Sequence, residues 1–156
     1  MSDITTVILA AGNSTRFKAS KSKLVYPLCG LPIVSHIFNI AKKISGKNIL
    51  VVSNEKNKEE LKLILNTSKL VVQKKQKGTA DAIEQVKKYV KSKNILILFG
   101  DTPLVEVKDI RKLVSKFKKS KAKASLIAFN TSEPHGYGRL LLNLSLIHIS
   151  EPTRRT

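Results

Sequence analysis

The stretch "NILILFGD", residues 94–101, runs from a polar Asn94 through four unbroken aliphatic residues to Phe99, Gly100 and Asp101. An apolar run this short, with no polar interruption, predicts a strand buried on both faces, as strands of parallel sheets are. Runs of the same kind lie to its N-terminal side at Thr5–Leu9 (TTVIL), Asn48–Val52 (NILVV) and Lys69–Val72, and a last one at Ala124–Phe129 closes the series. Between them the apolar residues recur at helical spacing. Ile33, Ile37, Ile40 and Ile44 do so from Pro32 onward, followed by Lys56–Leu65. Thr79–Val90 repeats the pattern through Ile83, Val86 and Val90, as does Val107–Lys118 through Ile110, Leu113, Val114 and Phe117. The alternation predicts an α/β chain of Rossmann-like type, a mostly parallel sheet with helices on both faces.

Such sheets bind ligands beyond the carboxyl ends of their strands. Three unusual clusters fall there. After Leu9 come Ala10, Ala11 and Gly12, whose lack of bulk lets backbone groups approach a flat ring or a phosphate. Arg16 offers a planar fork of donors and Lys23 a compact charge, both suited to phosphate oxygens. On its own this loop reads equally well as a strand-end turn with surface lysines. After Val72 comes "QKKQKGTADA", with Gln73 and Gln76 three residues apart. A carboxamide both donates and accepts, as the edge of a pyrimidine requires. Gly78 permits close backbone approach, and Thr79 is expected to cap the helix that follows; alone, the cluster reads as a capped loop. After Phe99 comes "GDTPL", where Asp101 can hold Mg²⁺ or shape a turn, and its place on the sheet edge favours the metal. The convergence of three clusters on one edge is the argument for a site.

With 156 residues and 42% hydrophobic residues the chain can bury a real core. Cys29 is its only cysteine, so no internal disulfide or paired-cysteine metal site exists. The start "MSDITTVILAAG" does not read as a signal peptide, and no apolar run reaches membrane-spanning length. A soluble, cytoplasmic protein is expected, with no membrane partner. The net charge of +18 admits a phosphate-rich partner. Yet the lysines are spread over predicted helix faces (Lys42, Lys43, Lys87, Lys88, Lys112, Lys116) without interleaved aromatics, so no nucleic-acid partner is expected. Near the C-terminus "PHGYGR", residues 134–139, is either a hairpin turn or a loop whose amides meet a sugar. His135 has no nucleophile near it in sequence, and His36 is expected to pack beneath the opening loop.

The motifs "ILAAGNSTRF", Lys23, "LCGLPIVSHI", "QKKQKGTADAI", "LFGDTPL" and "HGYGR" together resemble the N-terminal pyrophosphorylase domain of the GlmU family, over roughly Thr6 to Arg139. These are bifunctional N-acetylglucosamine-1-phosphate uridylyltransferases and glucosamine-1-phosphate acetyltransferases. The resemblance implies a nucleotidyltransferase fold, and a Mg²⁺-dependent transfer from UTP to N-acetylglucosamine 1-phosphate. Leu9, Ala10, Ala11 and Gly12 would contact uridine, and Arg16 and Lys23 would grip the triphosphate as the catalytic cations. Gln73, Gln76, Gly78 and Thr79 would line the nucleotide pocket, Asp101 would bind Mg²⁺, and Gly138 would contact the sugar phosphate. It further implies a homotrimer formed through a C-terminal domain. Departures from the family pattern are Ser14 for a glycine, Phe17 for a methionine and Ser22 for the proline before Lys23, the last expected to loosen the loop.

Beyond "GYGRL" the likeness stops. Leu144–Arg154 (LSLIHISEPTR) is similar to a translated sequencing-adapter end, though its alternation also suits a strand with a polar tail. On the first reading residues 1–143 are a partial nucleotidyltransferase domain and 144–156 a non-native tail. The fold would then be incomplete at its C-terminal side, and the chain would bind UTP weakly with little turnover. Two other readings stand beside this one: a transferase of the same fold acting on another sugar or alcohol phosphate, and a basic nucleic-acid-binding domain.

Overall fold

Valine, isoleucine and leucine dominate every strand of the central sheet, and their alternation decides which helix each strand face meets. The structure, a computed structural model, describes residues 3–13, 17, 21–66, 69–75, 77–133, 135, 137–142 and 148–151. Its elements in chain order are β1 (Ile4–Leu9), β2 (Pro27–Leu28), β3 (Leu31–Pro32), α1 (Ile33–Ser45), β4 (Ile49–Ser53) and α2 (Lys58–Leu65). There follow β5 (Leu70–Val72), α3 (Thr79–Val86), β6 (Asn94–Phe99), α4 (Val107–Lys119), β7 (Arg139–Leu142) and β8 (His148–Glu151). The chain divides into two units, Met1–Lys121 and Ala122–Thr156.

In the first unit four strands form one parallel sheet in the order β5-β4-β1-β6. The register sets Leu9 opposite both Val52 and Phe99, so three strands end level and their following loops meet at one edge. Ile8, Val51, Leu96 and Leu98 point to one face, where Val34, Ile37 and Ala41 of α1, Leu61 of α2 and Ile110 of α4 complete the core. Val7, Leu50 and Val52 point to the other, against Ala82 and Val86 of α3. Helices therefore cover both faces, as the unbroken apolar strands predicted. Each fully buried aliphatic side chain contributes roughly 1.5–3 kcal/mol, against at most about 1 kcal/mol for an exposed ion pair. The sandwiched sheet, not the lysine-rich surface, holds the fold.

Some local expectations change. The helix after Thr79 ends at Val86 and tightens into a 3-10 turn, Lys87–Tyr89. Gly78, not Thr79, is its N-cap, because the chain enters the helix at φ 102°, a conformation glycine adopts without steric cost. His36, expected to pack beneath the opening loop, is half-buried, and its Nε2 donates to the Leu28 carbonyl at 2.8 Å, which ties the β2–β3 hairpin to α1; residues 14–16 and 18–20 of that loop lie outside the described residues. Ala124–Phe129 forms no strand. Leu126, Ile127 and Phe129 are exposed, and no described strand pairs with them to satisfy their backbone groups. Within the second unit β7 and β8 pair antiparallel, Arg139 opposite Glu151 and Leu142 opposite His148, and Phe129 meets Tyr137 edge-on at 5.2 Å. The expected boundary after Asn143 and the tail residues 144–147 and 152–156 lie outside the described residues.

Candidate active site

The level strand ends create a pocket of about 310 Å³. Leu9, Ala10, Ala11 and Gly12 come to it from the end of β1, Phe99 and Asp101 from β6, Gln73 from β5, and Gly78, Thr79 and Ala82 from the start of α3. Lys23 and Leu24 arrive on a 3-10 turn, Lys23–Val25. Nine positions singled out in the sequence thus share one cavity: Leu9, Ala10, Ala11, Gly12, Lys23, Gln73, Gly78, Thr79 and Asp101. Arg16 and Gln76 lie outside the described residues, and Gly138 belongs to the second unit, where it is exposed.

Lys23 is held in place from both sides. Leu24 is buried as an anchor, and the Ser22 hydroxyl accepts a hydrogen bond from the Leu24 N–H at 3.4 Å. Ser22 therefore caps the turn rather than loosening it, since its oxygen takes up a donor that proline could not. The ammonium of Lys23 lies 2.6 Å from the Asp101 carboxylate. Asp101 itself is delivered by Gly100, whose N–H donates to the Leu9 carbonyl at 2.9 Å. A Cβ at Gly100 would sit 3.1 Å from that same carbonyl oxygen, so a side chain here would press the Leu9 carbonyl back by a few tenths of an ångström.

Gln73 is buried, and its Nε2 donates to Asp81 Oδ2 at 2.6 Å and to the Gly78 carbonyl at 3.2 Å. Both amide hydrogens are taken, so the two-way donor and acceptor role expected from its type is reduced to the oxygen. Asp81 was missed in the sequence, where it reads as an acidic residue in the first turn of a helix.

Also missed were Asn54 and Asn57, at the end of β4. Asn54 Nδ2 donates to the Ala11 carbonyl at 3.0 Å and Asn57 Nδ2 to the Ala10 carbonyl at 2.8 Å. The available signal was the pair of asparagines three apart directly after an apolar strand, in "VVSNEKN".

Among the described residues no three His, Cys, Asp or Glu side chains gather as a metal cage. Asp101 is one partly exposed carboxylate in the pocket's lining. That donor set fits Mg²⁺, which binds through one or two carboxylates and completes its shell with water and substrate phosphates. No helix among the described residues is long and apolar enough to cross a membrane.

Residues 6–147 match the family described as the MobA-like NTP transferase domain. Over 140 residues the chain is 41% identical to the bifunctional protein GlmU of Buchnera aphidicola subsp. Schizaphis graminum, covering 88% of this chain and 30% of that protein. It is 39% identical to the bifunctional protein GlmU of Campylobacter fetus subsp. fetus, covering 92% of this chain and 33% of that one. The chain thus spans about a third of the length of these relatives. Among solved structures, the inositol-1-phosphate CTP transferase from T. maritima superposes with a TM-score of 0.57 at 21% identity, over 65% of this chain and 44% of that one. At that identity the likeness is one of fold.

Proposed function

The chain belongs to the family of MobA-like NTP transferase domains, and on that premise we propose that its pocket binds UTP for transfer of the uridylyl group to N-acetylglucosamine 1-phosphate. The products are UDP-N-acetylglucosamine and pyrophosphate. The observation that carries this reading is the meeting of a small-residue loop, Ala10–Gly12, with the Lys23–Asp101 pair in one cavity. The GlmU relatives supply the choice of uridine nucleotide and sugar phosphate.

The chemistry suits the residues. An oxygen of the sugar phosphate is already anionic, so it attacks the α-phosphorus of UTP without a protein base. A new P–O bond forms as the bond to the pyrophosphate oxygen breaks, and pyrophosphate leaves with the electron pair. Lys23 neutralises charge on the phosphates, and Arg16 is assigned to the same task from its place in the opening loop. Ala10, Ala11 and Gly12 give the base room to lie against backbone, and the Gln73 oxygen accepts from its edge. Asp101 would hold Mg²⁺, which when bound draws charge from the phosphate oxygens and fixes their orientation. Positioning supplies the rest of the barrier lowering.

A calorimetric titration of the chain with UTP, CTP and GTP, each with Mg²⁺, tests the assignment. UTP is expected to bind at least tenfold more tightly than the other two. Equal affinities, or a preference for CTP or GTP, would refute the uridine assignment while leaving the family in place.

A further inference from the structure

Asn54 and Asn57 are not among the pocket's lining residues but reach that lining at two carbonyl oxygens, those of Ala11 and Ala10. Their geometry is reciprocal. The Asn54 N–H donates to Asn57 Oδ1 at 3.0 Å, and the Asn57 N–H donates to Asn54 Oδ1 at 2.9 Å. Each carboxamide then spends its nitrogen on the β1 loop, Asn54 on the Ala11 carbonyl and Asn57 on the Ala10 carbonyl. Both side chains are buried, at 7% and 2% exposure. The orientation of each amide is fixed by its partners, since a flipped amide would set a donor against a backbone N–H.

Ala10 and Ala11 are themselves buried, at 1% and 7% exposure. Their carbonyls have left the strand ladder, and a buried carbonyl without a donor is costly. The asparagine pair supplies those donors from β4, the strand beside β1. Two consecutive peptide planes of the small-residue loop are thereby set before any ligand arrives. A loop ordered in advance spares the ligand the entropy of ordering it.

We infer that Asn54 and Asn57 are positioning residues of the β1 loop, preorganising Ala10–Gly12 for the nucleotide. This rests on the reading of the pocket as a nucleotide site. Asn57→Ala and Asn54→Ala in the full chain are expected to weaken UTP binding at least tenfold and to speed amide exchange at Ala11 and Gly12. Ser45→Ala is the control, because it removes a buried 2.7 Å hydrogen bond to Thr6, away from the pocket. It should lower thermal stability without moving either readout.

Unchanged UTP affinity and unchanged exchange in both asparagine variants would overturn the inference. Absence of UTP binding by the parent chain would instead refute the nucleotide reading, and exchange at Ala11 and Gly12 alone would then decide whether the pair holds the loop. One measurement needs no variant, should the alanine chains not fold. The Nδ2 protons of Asn54 and Asn57 should exchange at least a hundredfold more slowly than those of exposed Asn39, and equal rates would count against the clamp.

Discussion

Lys23 Nζ lies 2.6 Å from Asp101 Oδ2, joining the turn after the opening loop to the end of β6 across 78 residues of sequence. Both side chains remain more than a third exposed, at 37% and 41%. In that setting the pair contributes about 1 kcal/mol at most to stability. The proposed function gives the pair its value: Lys23, the cation assigned to phosphate, and Asp101, the carboxylate assigned to Mg²⁺, stand together in the lining of one pocket.

Lys23→Ala should therefore leave the fold nearly as stable as before, within about 1 kcal/mol by thermal denaturation. UTP affinity should fall at least tenfold, while affinity for uridine, which carries no phosphate, should not change. Isothermal titration with the two ligands checks this. An equal loss for both would mean that Lys23 supports the pocket and does not bind phosphate.

Asp101→Asn keeps the shape of the side chain and removes its charge. The parent chain should lose UTP affinity when Mg²⁺ is chelated, and the variant should show a low affinity that chelation no longer alters. A variant that still responds to Mg²⁺ as the parent does would remove Asp101 from metal binding.

Two glycines should separate stability from binding. Gly100→Ala sets a methyl group 3.1 Å from the Leu9 carbonyl oxygen and should cost about 1–3 kcal/mol of stability. Gly12→Ala meets nothing within 4 Å among the described residues, so its unfolding midpoint should hold while UTP binding weakens through crowding of the pocket. Denaturation curves and titrations on both variants read the difference.

Asp81→Ala frees the amide of Gln73, which Asp81 now holds at 2.6 Å. The preference for UTP over CTP should narrow by several-fold, with affinity for pyrophosphate unaffected. Competition binding among the three ligands measures both effects.

The sheet and most of the pocket were legible because they rest on local signals. Unbroken apolar runs such as Thr5–Leu9 and Asn94–Phe99 announce buried strands, and level strand ends bring their loops together. What escaped depends on hydrogen-bond partners that only the folded chain brings together. Asn54 and Asn57 look like turn residues until Ala10 and Ala11, 47 and 43 positions away, require donors. Ser22 looked like a missing proline until its hydroxyl met the Leu24 N–H. Ala124–Phe129 misled for the same reason in reverse: its composition suits a strand, but strand structure needs a ladder partner, and no described strand supplies one.

The proposed function requires that the cavity at the ends of β1, β5 and β6 receive the nucleotide. Titration of ¹⁵N-labelled chain with UTP and Mg²⁺, followed residue by residue in solution, tests it most directly. Saturable shifts are expected at the amides of Ala11, Gly12, Gln73, Gly78, Thr79 and Asp101, with the lysine-rich α4 silent. Shifts centred on α4 that fade steeply with salt, or no saturable shifts in the pocket, would contradict it.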